Sequence, residues 1–207
     1  MRIAIDGIFM ATPQPGGYKT YTSNLVENLR SIDPTNEYFL LVDRAIPWRA
    51  TPNWTLGVLG RRGRIGFILR EQAALPRRAK RCGVDLLHCP GATGPIVASL
   101  PLVLTLYDTI EFSDPLPSPR DVARWTMRVY SRFVQRAVAR RAAAIITISR
   151  YSAHQISQTF NIAPGCLHPI HLAPSGLYGT VARSVAVEQA ENRFDIRDYI
   201  LAIASAA

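Results

Sequence analysis

Polar residues follow several short apolar runs in this chain, and they are its main candidates for catalysis or ligand binding. A carboxylate at the end of a strand can orient a hydroxyl group or hold a nearby base. Because ligands of parallel sheets bind beyond the carboxyl ends of the strands, such residues predict one shared site. The segments are Asp6, His88-Cys89-Pro90, Tyr107-Asp108-Thr109 and Ile148-Ser149-Arg150.

Asp108 is the candidate catalytic residue among them, and an equally open interpretation is that its carboxylate caps a turn. A lone histidine such as His88 is more often a hydrogen-bonded rim residue than a catalyst. Ser149 first predicts a helix N-cap, and the lack of a GxSxG pattern argues against serine hydrolase chemistry. His154, His168 and His171 have no carboxylate or cysteine at useful spacing, so we expect no metal.

A glycine pair precedes the first predicted helix. Backbone N–H groups at Gly16, Gly17 and Tyr18 would lie at the positive end of that helix, where a phosphate can bind. The plainer interpretation is an ordinary strand-to-helix turn. Neither GxGxxG nor GxxxxGK[ST] is present, so no named phosphate motif applies.

Apolar runs alternate with helical patterns along the chain, and the runs are apolar throughout. This predicts a Rossmann-like, doubly wound α/β fold with a mainly parallel sheet and helices on both faces. Residues 61–66 are predicted as a flexible basic link, and Pro76 as a kink or break in the helix that follows. Strands are predicted at 2–6, 37–42, 54–59, 84–89, 101–107, 143–148 and 166–171, and helices from residue 18, at 67–81, 119–141 and 150–160.

The predicted helix at 119–141 has Ser118 as its N-cap. Its apolar residues recur at helical spacing and predict a core face. Arginines recur at every fourth residue outside that face, which indicates either a solvated basic surface or a helix lying on acidic lipid headgroups. The predicted core residues are Val122, Trp125, Val129 and Phe133, and the arginines are those at 120, 124, 128, 132, 136 and 140.

The formal net charge of +9 is concentrated in two segments. Residues 61–81 carry +7 and residues 120–141 carry +6. Such clusters favour an anionic partner: a phosphorylated substrate, an acidic lipid surface or a nucleic acid. Nucleic acid is not expected, because aromatic residues are not interleaved with the basic ones.

Composition places the chain among globular proteins of a reducing compartment. Hydrophobic residues make up 48% of it, which is enough for a core. Neither a signal peptide nor a membrane-spanning run is recognisable. The three cysteines, Cys82, Cys89 and Cys166, show no CxxC spacing, so we expect a cytoplasmic protein, with peripheral attachment at the inner membrane face as a further possibility.

An ordered set of segments resembles the N-terminal half of the family-4, nucleotide-sugar-dependent glycosyltransferases, which have the GT-B fold. The segments cover nearly the whole chain and follow the family's order and spacing. They are MRIAIDGIFM, GGYKTYTSNL, NEYFLLV, VDLLHCPG, PLVLTLYDTI, AAIITISRYSAHQI and CLHPIHLAPSG.

The resemblance implies an acceptor-side domain at 1–172, a linker at 173–198 and the first strand of a second, donor-binding domain at 199–207. It places Gly16-Gly17 near the donor diphosphate. Tyr107-Asp108 matches a position where relatives commonly carry His-Asp, so a role tied to an imidazole is in doubt. Ser149-Arg150 matches a segment in which the family usually has an acid second.

The expected function is therefore the acceptor-binding half of a retaining glycosyltransferase, inactive alone because the second domain supplies most nucleotide contacts. Its expected partners are a nucleotide-sugar, a polysaccharide or lipid-linked acceptor, the second domain and, as a further candidate, an acidic membrane surface; we expect no cofactor. The alternative is a non-catalytic basic module that binds phosphate-bearing partners. The two differ in whether the arginines lie away from the strand ends.

Overall fold

The computed structural model describes residues 1–13, 15–60, 63–113, 115–173 and 181–196. All pairings in its seven-stranded sheet are parallel, and the strand order is β3-β2-β1-β4-β5-β6-β7. The Rossmann-like prediction is confirmed, and the order reverses between β1 and β4, where such sheets open a crevice. The strands are β1 (Arg2–Asp6), β2 (Glu37–Val42), β3 (Trp54–Val58), β4 (Leu86–Cys89), β5 (Leu102–Thr105), β6 (Ala144–Thr147) and β7 (Leu167–Pro169).

Helices connect these strands. Short 3-10 turns at Ile8–Ala11 and Pro164–Cys166 complete the regular structure. The chain divides into two compact units, Met1–His171 and Leu172–Ala207. The helices are α1 (Gly17–Ile32), α2 (Gly63–Leu69), α3 (Leu75–Arg81), α4 (Ile110–Ser113), α5 (Val122–Arg141), α6 (Arg150–Phe160) and α7 (Arg183–Phe194), and a π-helical turn at Arg70–Ala74 joins α2 to α3.

Two hydrophobic clusters within the first unit explain why its strands are apolar along their whole length. One cluster contains Leu87 of β4 together with Val138 of α5 and Phe160 of α6, none of which is exposed. The other contains Leu40 of β2 and Val26 of α1. Leu41, which follows Leu40 in β2, belongs to the first cluster, so successive residues of one strand pack on opposite faces and the sheet is covered on both.

The predicted link at 61–66 was wrong for the residues that the structure describes. Helix α2 begins at Gly63, whose φ of +61° lies in the left-handed region that glycine adopts readily. The irregularity expected at Pro76 lies instead in the π-helical turn before it. Pro76 itself occupies the first turn of α3, where its missing N–H is not needed.

The predicted core face of α5 was also wrong. Val122 and Phe133 are each 64% exposed. The helix instead buries its opposite face, which contains Val134 and Val138. Both faces have apolar residues at helical spacing, and the face with smaller side chains is the one that packs against the sheet.

The N-cap of α5 is three residues later than predicted. Asp121 is the cap, and its Oδ1 accepts a hydrogen bond from the N–H of Arg124 at 3.0 Å. Ser118 accepts from the N–H of Arg120 at 3.3 Å and so belongs to the preceding turn. An aspartate at this position also stabilises the helix dipole, which favours it over serine.

Several of the periodic arginines of α5 make specific contacts. Arg132 donates to the backbone oxygen of Glu111 at 2.7 Å, and Arg140 donates to that of Phe160 at 3.2 Å. The guanidinium of Arg136 lies 5.6 Å from the ring centre of Phe112. Helix α5 therefore does not present a uniformly solvated basic face.

The C-terminal predictions are met by the structure only in part. Residues 183–185, predicted as linker by composition, begin helix α7. The strand predicted at 199–203 lies outside the described residues, and the domain boundaries at 172 and 198 stay predictions. Within the described ranges, no helix is both long and apolar enough to cross a bilayer.

Candidate functional site

Three cavities lie along the carboxyl edge of the sheet. The first, of about 220 Å³, is lined by Tyr18, Tyr107, Asp108 and Glu111. A second, of about 340 Å³, shares Tyr18 and Glu111 with it. A third, of about 460 Å³, shares Phe67 and Met127 with the second. We call these three cavities together the edge groove.

Aromatic rings hold the beginning of α1 against the end of β5. The ring of Tyr18 stacks on Phe9 with centres 4.9 Å apart and meets Tyr107 edge-on at 5.0 Å. Tyr21, one turn further along α1, contacts the same Tyr107 ring at 5.3 Å. Such pairs favour these geometries, so the cluster fixes the groove wall that follows the Gly16-Gly17 loop.

Two carboxylates face the first cavity. Asp108 is exposed, and its Oδ1 accepts a hydrogen bond from the N–H of Ile110 at 3.0 Å, so it does cap a turn as well as line the groove. Glu111 lies 3.0 Å from the Nε of Arg128. Burial, together with the charges of Asp108 and Glu111, raises the pKa of Tyr18 above its ordinary value. Tyr18 is therefore a neutral hydrogen-bonding group.

Tyr107 occupies the position at which relatives commonly carry histidine. Its hydroxyl donates to the backbone oxygen of Pro90 at 2.9 Å. Burial raises the pKa of Tyr107, and Tyr21 and Tyr18 raise it further. The side chain therefore stays protonated near neutral pH and shapes the cavity rather than acting as a base.

His88 and Thr109 lie at this edge but are not among the residues that line the groove. Burial lowers the pKa of His88 to about 4, so its imidazole is neutral. Its Nε2 shares a 2.9 Å hydrogen bond with Thr105 Oγ1. The backbone oxygen of Thr109 accepts from the N–H of Phe112 at 2.8 Å. These hydrogen bonds hold His88 and Thr109 in place at this edge.

The segment after β6 also makes local hydrogen bonds. Ser149 caps α6, as predicted, and its Oγ accepts from the N–H of Ser152 at 3.0 Å. Arg150 is exposed in the first turn of that helix. Neither residue lines the edge groove, and of the four predicted strand-end segments only Tyr107-Asp108-Thr109 contributes lining residues.

The glycine loop lies beside the groove without lining it. Gly16 is the N-cap residue of α1, and no side chain caps the first turn there. A Cβ at Gly16 or Gly17 would meet no atom within 4 Å among the described residues. Side-chain crowding therefore does not explain why these positions are glycine. A phosphate role is untested by this geometry.

A buried ion pair that the sequence analysis did not predict lies at the carboxyl end of β1. Arg70, which is 2% exposed, donates two hydrogen bonds to Asp6, of 2.6 and 3.2 Å, and a third to the backbone oxygen of Leu41 at 3.0 Å. Burial alone lowers the pKa of Arg70, but the charge and hydrogen bonds of Asp6 outweigh burial and raise it. Asp6 is thus a structural anchor and not a ligand of the site.

Glu71, the next residue, is buried just behind the second cavity. Its carboxylate accepts hydrogen bonds from the hydroxyls of Thr93 and Tyr130, the latter at 2.6 Å, and both of those residues line the cavity. Gln72 donates to it at 3.0 Å. Burial raises the pKa of Glu71, and these hydrogen bonds lower it in part.

Arg70 and Glu71 are consecutive residues at the start of the π-helical turn, and both are buried. Consecutive buried residues also occur on α5, at Val134-Gln135 and Val138-Ala139, so the π-helical turn is not required for this arrangement. Sequence patterns carry little information on such turns. One sequence signal could have identified part of the second cavity. Arg124, Met127 and Arg128 are spaced three and four residues apart, so they share one face of α5, and that face lines the cavity.

The comparisons with known proteins agree with this architecture. A sequence model described as Glycosyltransferase Family 4 matches residues 15–177. No curated protein matches the chain significantly.

Similar solved structures are also found. Anabaena HepE in complex with UDP-glucose aligns with a TM-score of 0.48 and 15% sequence identity, over 93% of this chain and 50% of HepE. The wall teichoic acid polymerase TagF aligns with a TM-score of 0.50 and 10% identity, over 93% of this chain and 41% of TagF. The likeness to TagF is one of fold. The chain spans about half the length of the solved structures that it matches.

Proposed function

Because the chain belongs to glycosyltransferase family 4, we propose that residues 1–172 form the acceptor-binding half of a retaining transferase. The donor is a nucleotide-sugar, and the acceptor is a glycan or a lipid-linked glycan of polysaccharide or glycolipid synthesis. The edge groove carries this proposal, since Tyr18, Asp108 and Glu111 line one cavity at the edge where parallel sheets bind ligands.

Asp108 is the proposed residue for the acceptor hydroxyl. One carboxylate oxygen is held by the N–H of Ile110, which fixes the orientation of the group. The other oxygen accepts the hydrogen bond of the attacking hydroxyl and takes up its proton as the new glycosidic bond forms. In the same transfer the bond between the anomeric carbon and the donor diphosphate breaks, and the nucleoside diphosphate leaves. The neutral hydroxyl of Tyr18 is within the same cavity and supplies a hydrogen-bond donor for the acceptor sugar.

The start of α1 is the proposed place for the donor diphosphate. Its first backbone N–H groups have no side-chain cap, and the helix dipole is positive at this end. The remaining nucleotide contacts belong to a second domain, as the resemblance implies. We therefore expect the 207-residue chain alone to give no turnover, and peripheral attachment to a membrane remains part of the proposal.

Transfer assays with Asp108 variants test this function. A polypeptide that contains both this domain and a donor-binding domain is assayed with UDP-, GDP- and ADP-sugars as donors. Asp108→Asn is expected to lower kcat about 100-fold or more. Asp85→Asn, an exposed aspartate whose carboxylate caps the opposite end of the sheet at Arg2, is the matched control and should keep full activity.

The possible results separate the role of the residue from the role of the protein. An unchanged kcat for Asp108→Asn would contradict the assignment of Asp108. A lack of transfer from every donor would contradict the transferase proposal itself.

The alternative, a non-catalytic basic module, places the arginines on a continuous face away from the strand ends. Arg64, from the first basic segment, lines the third cavity, and Arg124, from the second, lines the second cavity. Both segments thus contribute charge to the carboxyl edge. This distribution favours the transferase proposal.

A further inference from the structure

Glu71 is a buried acid that the proposed function does not use. The residue is 2% exposed, and no ion pair reaches it from any residue that the structure describes. Its carboxylate is satisfied instead by neutral donors, the hydroxyls of Thr93 and Tyr130 and the amide of Gln72. Burial of a charge without a cation lowers stability, so an apolar or amide side chain would serve the fold alone better. The acid therefore points to a task beyond folding.

The hydrogen bonds to Glu71 set the direction of two hydroxyl groups. Thr93 and Tyr130 line the second cavity, and each donates its only hydroxyl proton to Glu71 behind it. A hydroxyl has one proton and two lone pairs, so only lone pairs are left for a group in the cavity. One lone pair of Tyr130 already accepts from Gln72 Nε2 at 3.0 Å, and one remains. At these two positions the cavity therefore offers hydrogen-bond acceptors.

An ionised acid is what this arrangement needs. Oε1 of Glu71 accepts from Thr93 and Oε2 accepts from Tyr130, so both branches of the side chain act as acceptors. The change Glu71→Gln keeps the shape of the side chain, but the amide nitrogen donates. One of the two hydroxyls would then accept from that nitrogen, and its proton would be free to turn toward the cavity.

Gln72 holds the loop that carries one of these hydroxyls. Its Nε2 donates to the backbone oxygen of Gly94 at 3.0 Å, and its Oε1 accepts from the N–H of Ile96 at 2.8 Å. Both contacts lie in the loop between β4 and β5, which contains Thr93. The position of the hydroxyl and its direction are therefore both fixed before a ligand binds.

The rest of the lining decides which ligand the second cavity suits. Its volume of about 340 Å³ and its aromatic side chains, Phe9, Tyr18 and Phe67, are typical of small-molecule sites. The two acceptor oxygens need a ligand that donates, whereas an anionic oxygen has only lone pairs. Arg124 and Arg128 supply donors at the same cavity. A sugar unit fits this mixture, because its hydroxyls both donate and accept and its C–H faces are apolar.

We propose that Glu71 is a positioning residue, which directs the hydroxyls of Thr93 and Tyr130 so that they accept a hydroxyl proton from a neutral sugar unit of the acceptor. This inference rests on the proposed function and deepens it. The second cavity adjoins the one at Asp108, so the sugar unit that it holds is the neighbour of the unit that reacts there.

Ligand-observed NMR on the 207-residue chain tests this role without any need for turnover. The methyl α-glycosides of glucose, mannose and galactose are titrated at about pH 8, so that Glu71 is ionised. The tightest binder is then compared with derivatives in which one hydroxyl at a time is replaced by fluorine, which cannot donate. In the wild type at least one replacement is expected to weaken binding about tenfold, and we call this loss the fluorine penalty.

Glu71→Gln should reverse the preference of the cavity. The glycoside itself is expected to bind about fivefold more weakly, and the fluorine penalty should fall below about twofold, because one hydroxyl of the protein then offers its proton. Tyr130→Phe or Thr93→Val removes an acceptor and should add little to the loss in Glu71→Gln, since both changes affect one contact.

Two controls separate this role from effects on the fold. Glu27→Gln makes the same change at an exposed position, and Val138→Ala lowers stability from the buried face of α5. Both should keep the wild-type affinity and fluorine penalty. Failure of all three glycosides to bind the wild type would exclude a neutral sugar as the ligand. An unchanged fluorine penalty in Glu71→Gln would leave Glu71 a structural residue.

The transferase proposal can be judged separately. If Asp108→Asn abolished transfer while Glu71→Gln left the fluorine penalty unchanged, only the positioning role would fail. If the penalty changed as predicted but no donor gave transfer, the sugar site would stand and the transferase proposal would fail.

Discussion

Two arginine–carboxylate pairs at the same edge of the sheet differ chiefly in burial. Arg70 and Asp6 are 2.6 Å apart, with side chains 1% and 7% exposed. Arg128 and Glu111 are 3.0 Å apart, with side chains 24% and 28% exposed. The buried pair is out of reach of a ligand and serves the fold. The half-buried pair lines the groove and can exchange one partner for a substrate at little cost.

Removing the cation of the buried pair should have the largest effect. Arg70→Met leaves Asp6 as an uncompensated buried charge, and we expect the free energy of unfolding to fall by about 3–5 kcal/mol. Urea denaturation followed by circular dichroism measures it. The double variant Arg70→Met/Asp6→Leu should recover much of the loss, because no unpaired charge then remains. A loss below about 1 kcal/mol for the single variant would remove the distinction between the two pairs.

The neighbouring buried acid adds a pH dependence. Because burial raises the pKa of folded Glu71 above the value of about 4.5 for an exposed glutamate, the unfolded state loses this proton first as pH rises. Stability from Glu71 is therefore full below about pH 4.5 and decreases up to its raised pKa, by at most about 1.4 kcal/mol per pH unit.

Glu71→Gln should remove this slope, as measured by urea unfolding between about pH 4 and pH 8. The exposed Glu27→Gln serves as the control and should keep the wild-type profile. Parallel profiles for the wild type and Glu71→Gln would mean that Glu71 does not titrate differently on folding.

The half-buried pair should respond in the opposite sense, with little change in stability and a change in binding. Arg128→Gln is expected to lower the free energy of unfolding by less than about 1 kcal/mol. Because Arg128 and Glu111 both line the second cavity, KM for the acceptor should rise in the transfer assay. A loss as large as that of Arg70→Met would show that both pairs serve the fold.

The smallest effect is expected on the outer face of α5. Phe133 is 64% exposed, so Phe133→Ser should change the free energy of unfolding by no more than about 0.5 kcal/mol. Val138→Ala, on the buried face of the same helix, should cost about 1–3 kcal/mol in the same urea experiment. If the two variants lowered the free energy of unfolding by similar amounts, Phe133 would belong to the core face, as the sequence predicted.

These differences show where sequence reasoning on this chain was reliable. The apolar runs at residues 37–42 and 101–107 identified β2 and β5, because strands covered on both faces need apolar residues throughout. The spacing of the apolar residues on α5 predicted the wrong core face, because two faces of that helix are apolar and only contact with the sheet selects one. The fourth polar segment, at Ser149-Arg150, lies at a strand end yet does not line the groove, because strand order alone does not fix where each loop goes.

The site was partly predictable for the same reason. Tyr107 and Asp108 were identified from their positions at a strand end and Tyr18 from its position after the glycine pair, and the structure places all three in one cavity. Glu71 and Arg70 were missed, since their partners Asp6, Thr93 and Tyr130 lie far from them in the chain. Arg44 follows β2 and Arg64 lies in α2, and their shared cavity depends on how these separate segments pack.

The sequence by itself determined the alternating strands and helices, the parallel sheet and the edge at which its polar residues gather. These follow from local hydrophobic patterning, which acts over a few residues. The tertiary structure alone decided that Asp6 is neutralised by Arg70, which face of α5 is buried, and which polar side chains line a common groove. Each of these depends on contacts between residues far apart in the chain, and on competition among alternatives that local patterns leave equal.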